Sequence, residues 1–67
     1  MMSASGKSGS FRHAATGETI EVVLENGHGW YWEGASESRY IGGPVAVRDQ
    51  IALFKRCGYV HVSGALS

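Results

Sequence analysis

Asn26-Gly27 stands between the two stretches of this chain that read most clearly as β-strands, and the length of the turn it makes decides which side chains share a sheet face. Before it, Ile20, Val22 and Leu24 alternate with Thr19, Glu21, Val23 and Glu25 in the two-residue period of a half-buried strand. After it come Trp30, Tyr31 and Trp32. Asn-Gly is the strongest short hairpin signal, because both residues tolerate the positive φ that a two-residue turn demands. Such a turn pairs Leu24 with Gly29 and Val23 with Trp30, and sets both indoles opposite the Ile20/Val22/Leu24 face. A three-residue loop of Glu25, Asn26 and Gly27, with Gly27 in a left-handed bulge, pairs Val22 with Trp30 and Ile20 with Trp32 instead. One residue of slip turns every side chain over.

Size argues for the second register. A chain of 67 residues makes one domain, and a domain that small buries only about 60% of its unfolded surface. Its core has to recruit nearly every large apolar side chain: Phe11, Ile20, Val22, Leu24, Trp30, Trp32, Ile51, Leu53, Phe54, Val60 and Val62. Both tryptophans are therefore expected inside, with Tyr31 alone outside. The same shortage of material leaves little room for a deep, water-excluding active site.

The rest of the chain divides by pattern. Residues 1–10 are small and polar without a period and read as a flexible lead; residues 64–67 read as a frayed end; the domain spans 11–63. Phe11 to Ala15 alternates as a short strand, and Thr16-Gly17 offers a two-residue turn that would set Arg12 opposite Glu21. Arg39 to Ile41 is a short fourth strand in prospect, ended by Gly42-Gly43-Pro44. A helix beginning between Pro44 and Arg48 is predicted from Val47, Ile51 and Phe54 at i, i+4 and i+7, with Lys55 and Arg56 in its last turn and Gly58 as its stop. Tyr59 to Ser63 alternates once more, with Val60 and Val62 expected inward. The predicted architecture is α+β: an antiparallel sheet of three to five strands in the order β-β-β-(β)-α-β, with one helix packed on one face.

Composition excludes several classes. Six basic and six acidic residues give zero net charge, against a strongly basic nucleic-acid binder, and no apolar run approaches the ~20 residues of a membrane helix. One cysteine forms no internal disulfide; with no apolar leader segment near Met1, a cytoplasmic location is expected. The candidate chemistries each meet a simpler account. His13, His28, His61 and Cys57 lack the close, repeated spacing of a zinc site. Cys57 falls at a helix C-terminus, where the dipole disfavours a thiolate. Gly42-Gly43-Pro44 lacks the Lys-Ser/Thr of a phosphate loop. Glu18, Glu21, Glu25, Glu33 and Glu37 are scattered, with no cleft to raise a carboxyl pKa. No enzyme, metal or cofactor is expected.

Interaction remains. Tyr31, Arg39, Tyr40, Arg48 and Arg12 are residue types that interfaces enrich, and the expected role is a non-enzymatic module that binds a larger protein or nucleoprotein complex. Sheet-based nucleic-acid binding through the aromatics, and an obligate homo-oligomeric structural protein in which the edge strand or loose apolar surface pairs with itself, are the alternatives; a monomer or homodimer is expected. Trp30-Tyr31-Trp32, then Tyr40-Ile41-Gly42-Gly43-Pro44-Val45 and a helix carrying Ile51 and Phe54, looks like the sheet-then-helix layout of small accessory proteins from phages and mobile elements. Over residues 18–63 the chain is similar in size and layout to some anti-CRISPR proteins. That resemblance implies an inhibitor that occupies a partner's surface. With zero net charge it would act by steric occlusion through Tyr31, Arg39 and Tyr40, not by mimicry of phosphate charge.

Overall fold

The computed structural model of the chain describes residues 6–34 and 37–67. Four strands follow one another, β1 (Lys7–His13), β2 (Thr19–Glu25), β3 (His28–Glu33) and β4 (Ser38–Gly42); then come the helix α1 (Pro44–Arg56) and a last strand β5 (Tyr59–Gly64). They form one five-stranded sheet in the order β4-β3-β2-β1-β5, antiparallel at every pairing. β4 and β5 lie on opposite edges and run in the same direction. The chain must therefore cross the whole sheet between them, and α1 is that crossing. The α+β class with one helix packed on one face of an antiparallel sheet is thus realised, with the fourth strand present.

α1 starts where its sequence directs. Pro44 takes the first helical position, where its missing N–H leaves no bond unmade. Val47, Ile51 and Phe54 are its buried stripe, and Lys55 and Arg56 close the last turn. These three meet Phe11, Ile20 and Val22 from the sheet to form the core, with Leu24, Tyr31, Ile41, Tyr59 and Leu66 packed around it.

The hairpin between β2 and β3 takes the two-residue form. Glu25 pairs with His28, Leu24 with Gly29, Val23 with Trp30 and Glu21 with Trp32. Asn26 and Gly27 both carry positive φ, 53° and 79°, as a two-residue turn requires. The three-residue register is overturned: the tryptophans stand on the face away from the helix, and Tyr31 turns inward to meet the Phe54 ring edge-on at 5.2 Å. The helix covers one face only, so one inward aromatic on β3 suffices. Beside it the helix needs a hollow: Gly29 is buried, and an added Cβ there would overlap Val47 Cγ2.

Further expectations change. Val60 and Val62 are 54% and 52% exposed, while Tyr59 and His61 face the core. β5 pairs Phe11 with His61 and Arg12 with Val60, and Val62 is the extra residue of a bulge. The larger aromatic bodies are the ones that pack, His61 on Phe11 at 5.5 Å and Tyr59 on Phe54 at 5.6 Å. Leu53, one residue off the helix stripe, is 43% exposed. At the start, strand pairing already begins at Lys7, so residues 7–10 belong to the sheet; residues 1–5 lie outside the described residues. At the other end, the Leu66 N–H donates to the Ser8 carbonyl at 3.0 Å and its side chain packs against the core, in place of a frayed end.

The first hairpin has a four-residue loop, Ala14–Gly17, in place of the two-residue turn; the His13 N–H donates to the Glu18 carbonyl at 2.8 Å. His13 explains the extra length. Its Nδ1 accepts the N–H groups of Ala15 and Thr16 at 3.1 and 3.2 Å, so Nε2 carries the proton and donates to the Cys57 carbonyl at 2.9 Å. One imidazole ties the loop to the end of α1. Arg12 consequently sits opposite Thr19, and Glu21 opposite Ser10.

Candidate functional site

The face of the sheet away from α1 has no covering layer among the described residues. Its composition follows from the registers. β3 contributes His28, Trp30 and Trp32; β4 contributes Tyr40, across from Trp30. The middle strand β2 contributes Thr19, Glu21, Val23 and Glu25, while β1 adds Ser8, Ser10 and Arg12, and β5 adds Val60.

His28, Trp30 and Tyr40 form a stripe of rings in mutual contact, with Trp32 two residues farther along the same face of β3. Trp30 and Tyr40 meet edge-on with ring centres 5.4 Å apart, and His28 lies 6.3 Å from Trp30 and 5.9 Å from Tyr40. His28 Nδ1 and the Tyr40 hydroxyl share a hydrogen bond of 2.7 Å. The two indoles are half-buried and Tyr40 is 57% exposed. Rings of this kind present large, stiff, apolar surface with little rotamer freedom to lose on contact. Beside the stripe is a shallow depression of about 360 Å³, lined by Ser10, Arg12, Thr19, Glu21, Val62 and Ser63 among others. A ridge of large rings next to a shallow floor of mixed polar and apolar residues is a shape that another molecule can complement.

The residues singled out from sequence do not gather in one place. Tyr40 and Arg12 are on the open face, separated by β3 and β2. Tyr31 is under the helix against Phe54. Arg39 pairs across from Tyr31 and so points to the helix side, exposed at the sheet edge. Arg48 is exposed on α1, at the rim of a cleft of about 240 Å³ that Leu66 also lines. Neighbouring residues on a strand point to opposite faces, so Arg39 and Tyr40 cannot belong to one flat surface with Tyr31. Trp30 and Trp32, placed inside by the sequence reading, take their place on the open face.

A second concavity, of about 450 Å³, lies at the end of the sheet between Gly17, Glu18, Thr19, Glu33, Gly34 and Tyr59. Partial burial pushes the Tyr59 phenol above the ordinary tyrosine value of 10.0, and the carboxylates of Glu18 and Glu33 and a hydrogen bond to Glu18 add to the rise. The folded chain holds that proton more tightly than the unfolded chain does. This contribution to stability is whole below pH 10 and is lost as pH rises from there through the folded value. Denaturant midpoints followed between about pH 9 and 11.5 should fall less steeply in Tyr59→Phe than in the parent chain. Equal slopes would remove Tyr59 as a source of alkaline sensitivity.

Among the described residues no three side chains of His, Cys, Asp or Glu converge as metal ligands, and no helix is long and apolar enough to cross a membrane. Cys57 is a free, exposed thiol at the end of α1. No family model, no curated protein and no solved structure matches the chain.

Proposed function

We propose that this protein is a non-enzymatic binding module that engages a larger protein through the open face of its sheet. One observation carries the reading: the Asn26-Gly27 turn commits Trp30 and Trp32 to the uncovered face, next to Tyr40. A domain with so little core does not leave two indoles half-exposed side by side for the sake of its own stability. Tryptophan and tyrosine are the side chains that carry binding energy at protein interfaces. The clefts among the described residues are shallow, which favours occupancy of a partner's surface over chemistry. An inhibitor or accessory protein acting by steric occlusion, of the anti-CRISPR kind, is a role that such a face can serve. The single exposed thiol fits a reducing, cytoplasmic setting.

Stacking of unpaired bases on the two indoles is the competing use. Glu21 and Glu25, directly across from Trp32 and His28, oppose it by placing carboxylates where phosphates would run.

Pairing Trp30→Ser with Trp32→Ser tests the reading, because these rings lie outside the core that α1 covers. A partner captured by the parent chain and by Arg48→Ala should be lost by the doubly substituted chain, with a fall in affinity of at least about 2 kcal/mol once the partner is in hand. Undiminished capture by the doubly substituted chain, still folded by circular dichroism, would remove the open face as the working surface.

A further inference from the structure

We infer that the open face takes an arginine-bearing segment of its protein partner. This rests on the open-face reading above and specifies the chemistry of what binds there. Charge on that face is segregated. Across the β2–β3 pair, Glu21 stands opposite Trp32, Val23 opposite Trp30 and Glu25 opposite His28. The aromatic stripe is thus bordered along one side by two exposed carboxylates. Among the described residues, neither has a hydrogen-bond or ion-pair partner. Among the described residues Arg12 is the one lysine or arginine that the registers place on this face; it lies on β1, on the far side of β2, across from Thr19 and Val60, whereas Lys7 pairs with Leu24 on the helix side. β2 is the middle strand, so Glu21 lies at the centre of the face and not at its rim.

A carboxylate at the centre of the face, beside its aromatic stripe, selects its occupant. A purely apolar partner would bury Glu21 against nothing that can pair with it. A nucleic-acid strand would bring phosphates to the same carboxylates. An arginine satisfies both features together: its planar guanidinium lies over an indole face while its N–H fork reaches the neighbouring carboxylate. Two carboxylates separated by three residues on β2, with Val23 alone between them on this face, match two cationic side chains on one extended or helical segment.

Both tryptophans of the chain lie on this face, so their emission reports on it directly. The probe is a blocked hexa-arginine peptide titrated into the full-length protein, with hexa-lysine, hexa-glutamate and a thymidine oligomer run in parallel. Hexa-arginine should change the emission saturably, bind more tightly than hexa-lysine, and weaken as salt rises. Glu21→Gln combined with Glu25→Gln should weaken it by about tenfold, whereas Asp49→Asn, an exposed carboxylate on α1, should leave it unchanged. Equal affinity in the Glu21→Gln/Glu25→Gln chain, or no change in emission at any peptide concentration, would overturn the inference. If the thymidine oligomer alone moves the emission, the inference fails while the open face stands as a binding surface. If Trp30→Ser/Trp32→Ser captures the cellular partner as the parent does, the open-face reading has failed as well.

Discussion

Gly29→Ala should lower stability by about 3 kcal/mol, the upper part of the range for overpacked cores. The reason is local. Gly29 is the buried position at which β3 passes beneath α1, and a Cβ there has no space beside Val47 Cγ2. Val47 is 1% exposed and β-branched, so it has no other rotamer to retreat into. The whole helix would have to lift, thinning its contact with Phe11, Ile20 and Val22. For a domain whose entire stability is of the order of 3–5 kcal/mol, the result is a chain with at most about 2 kcal/mol left and up to about half of it unfolded at room temperature. Urea denaturation followed by far-ultraviolet circular dichroism measures it. Adding Val47→Ala to Gly29→Ala should recover part of the loss, so that the double variant is more stable than the sum of the two single effects predicts. Strict additivity would mean that the close approach of helix and strand is not the cause.

Phe11→Ala should be at least as damaging. Phe11 is fully buried at the meeting of β1, β5 and the helix, with the His61 ring edge-on to it at 5.5 Å. Truncating a core phenylalanine removes about 3–5 kcal/mol. Here that equals the whole margin, and no cooperative transition should remain. Phe11→Leu keeps most of the volume and should cost about 1.5 kcal/mol, leaving a sharp transition at a lower midpoint. A cooperative Phe11→Ala transition within 1 kcal/mol of the parent, roughly the effect of an ordinary surface change, would show that the core is organised around some other side chain.

Much of this fold can be read from local pattern. Alternation from Thr19 to Glu25 marks β2, and Val47, Ile51 and Phe54, with Pro44 before them and Gly58 after, mark α1 within a residue or two. The open face was harder to see. Its position depends on a single residue of register, and two physical arguments pull in opposite directions there. The need of a small core for large side chains favours the tryptophans inside; the backbone preference of Asn26 and Gly27 favours them outside. The backbone prevails because Tyr31, alternate to the indoles, is large enough to fill the inner side of β3. Gly29 was the signal available: a glycine in an otherwise aromatic strand marks a close approach, and it shares a face with Tyr31 rather than with the tryptophans. Val60 and Val62 mislead for a related reason. Tyr59-Val60-His61-Val62 alternates equally well in either phase, and hydropathy ranks valine above rings that in fact pack on Phe54 and Phe11. Ser8, Gly9 and Ser10 hide a strand because Gly9 faces the backbone of Leu66, which no sequence period announces.

The helix that spans the sheet also sets an order of events during synthesis. β1 to β4 form a meander of sequential hairpins that can assemble as they emerge, but β1 finds its second neighbour only when β5 arrives, after α1. Until then the edge of β1 is open and Phe11 lacks His61 above it. Pairing between segments so far apart along the chain is the slow kind of contact. A nascent chain of this protein therefore exposes, for the time its C-terminal segment takes to appear, an unpaired strand edge beside a core phenylalanine, the state from which aggregation begins.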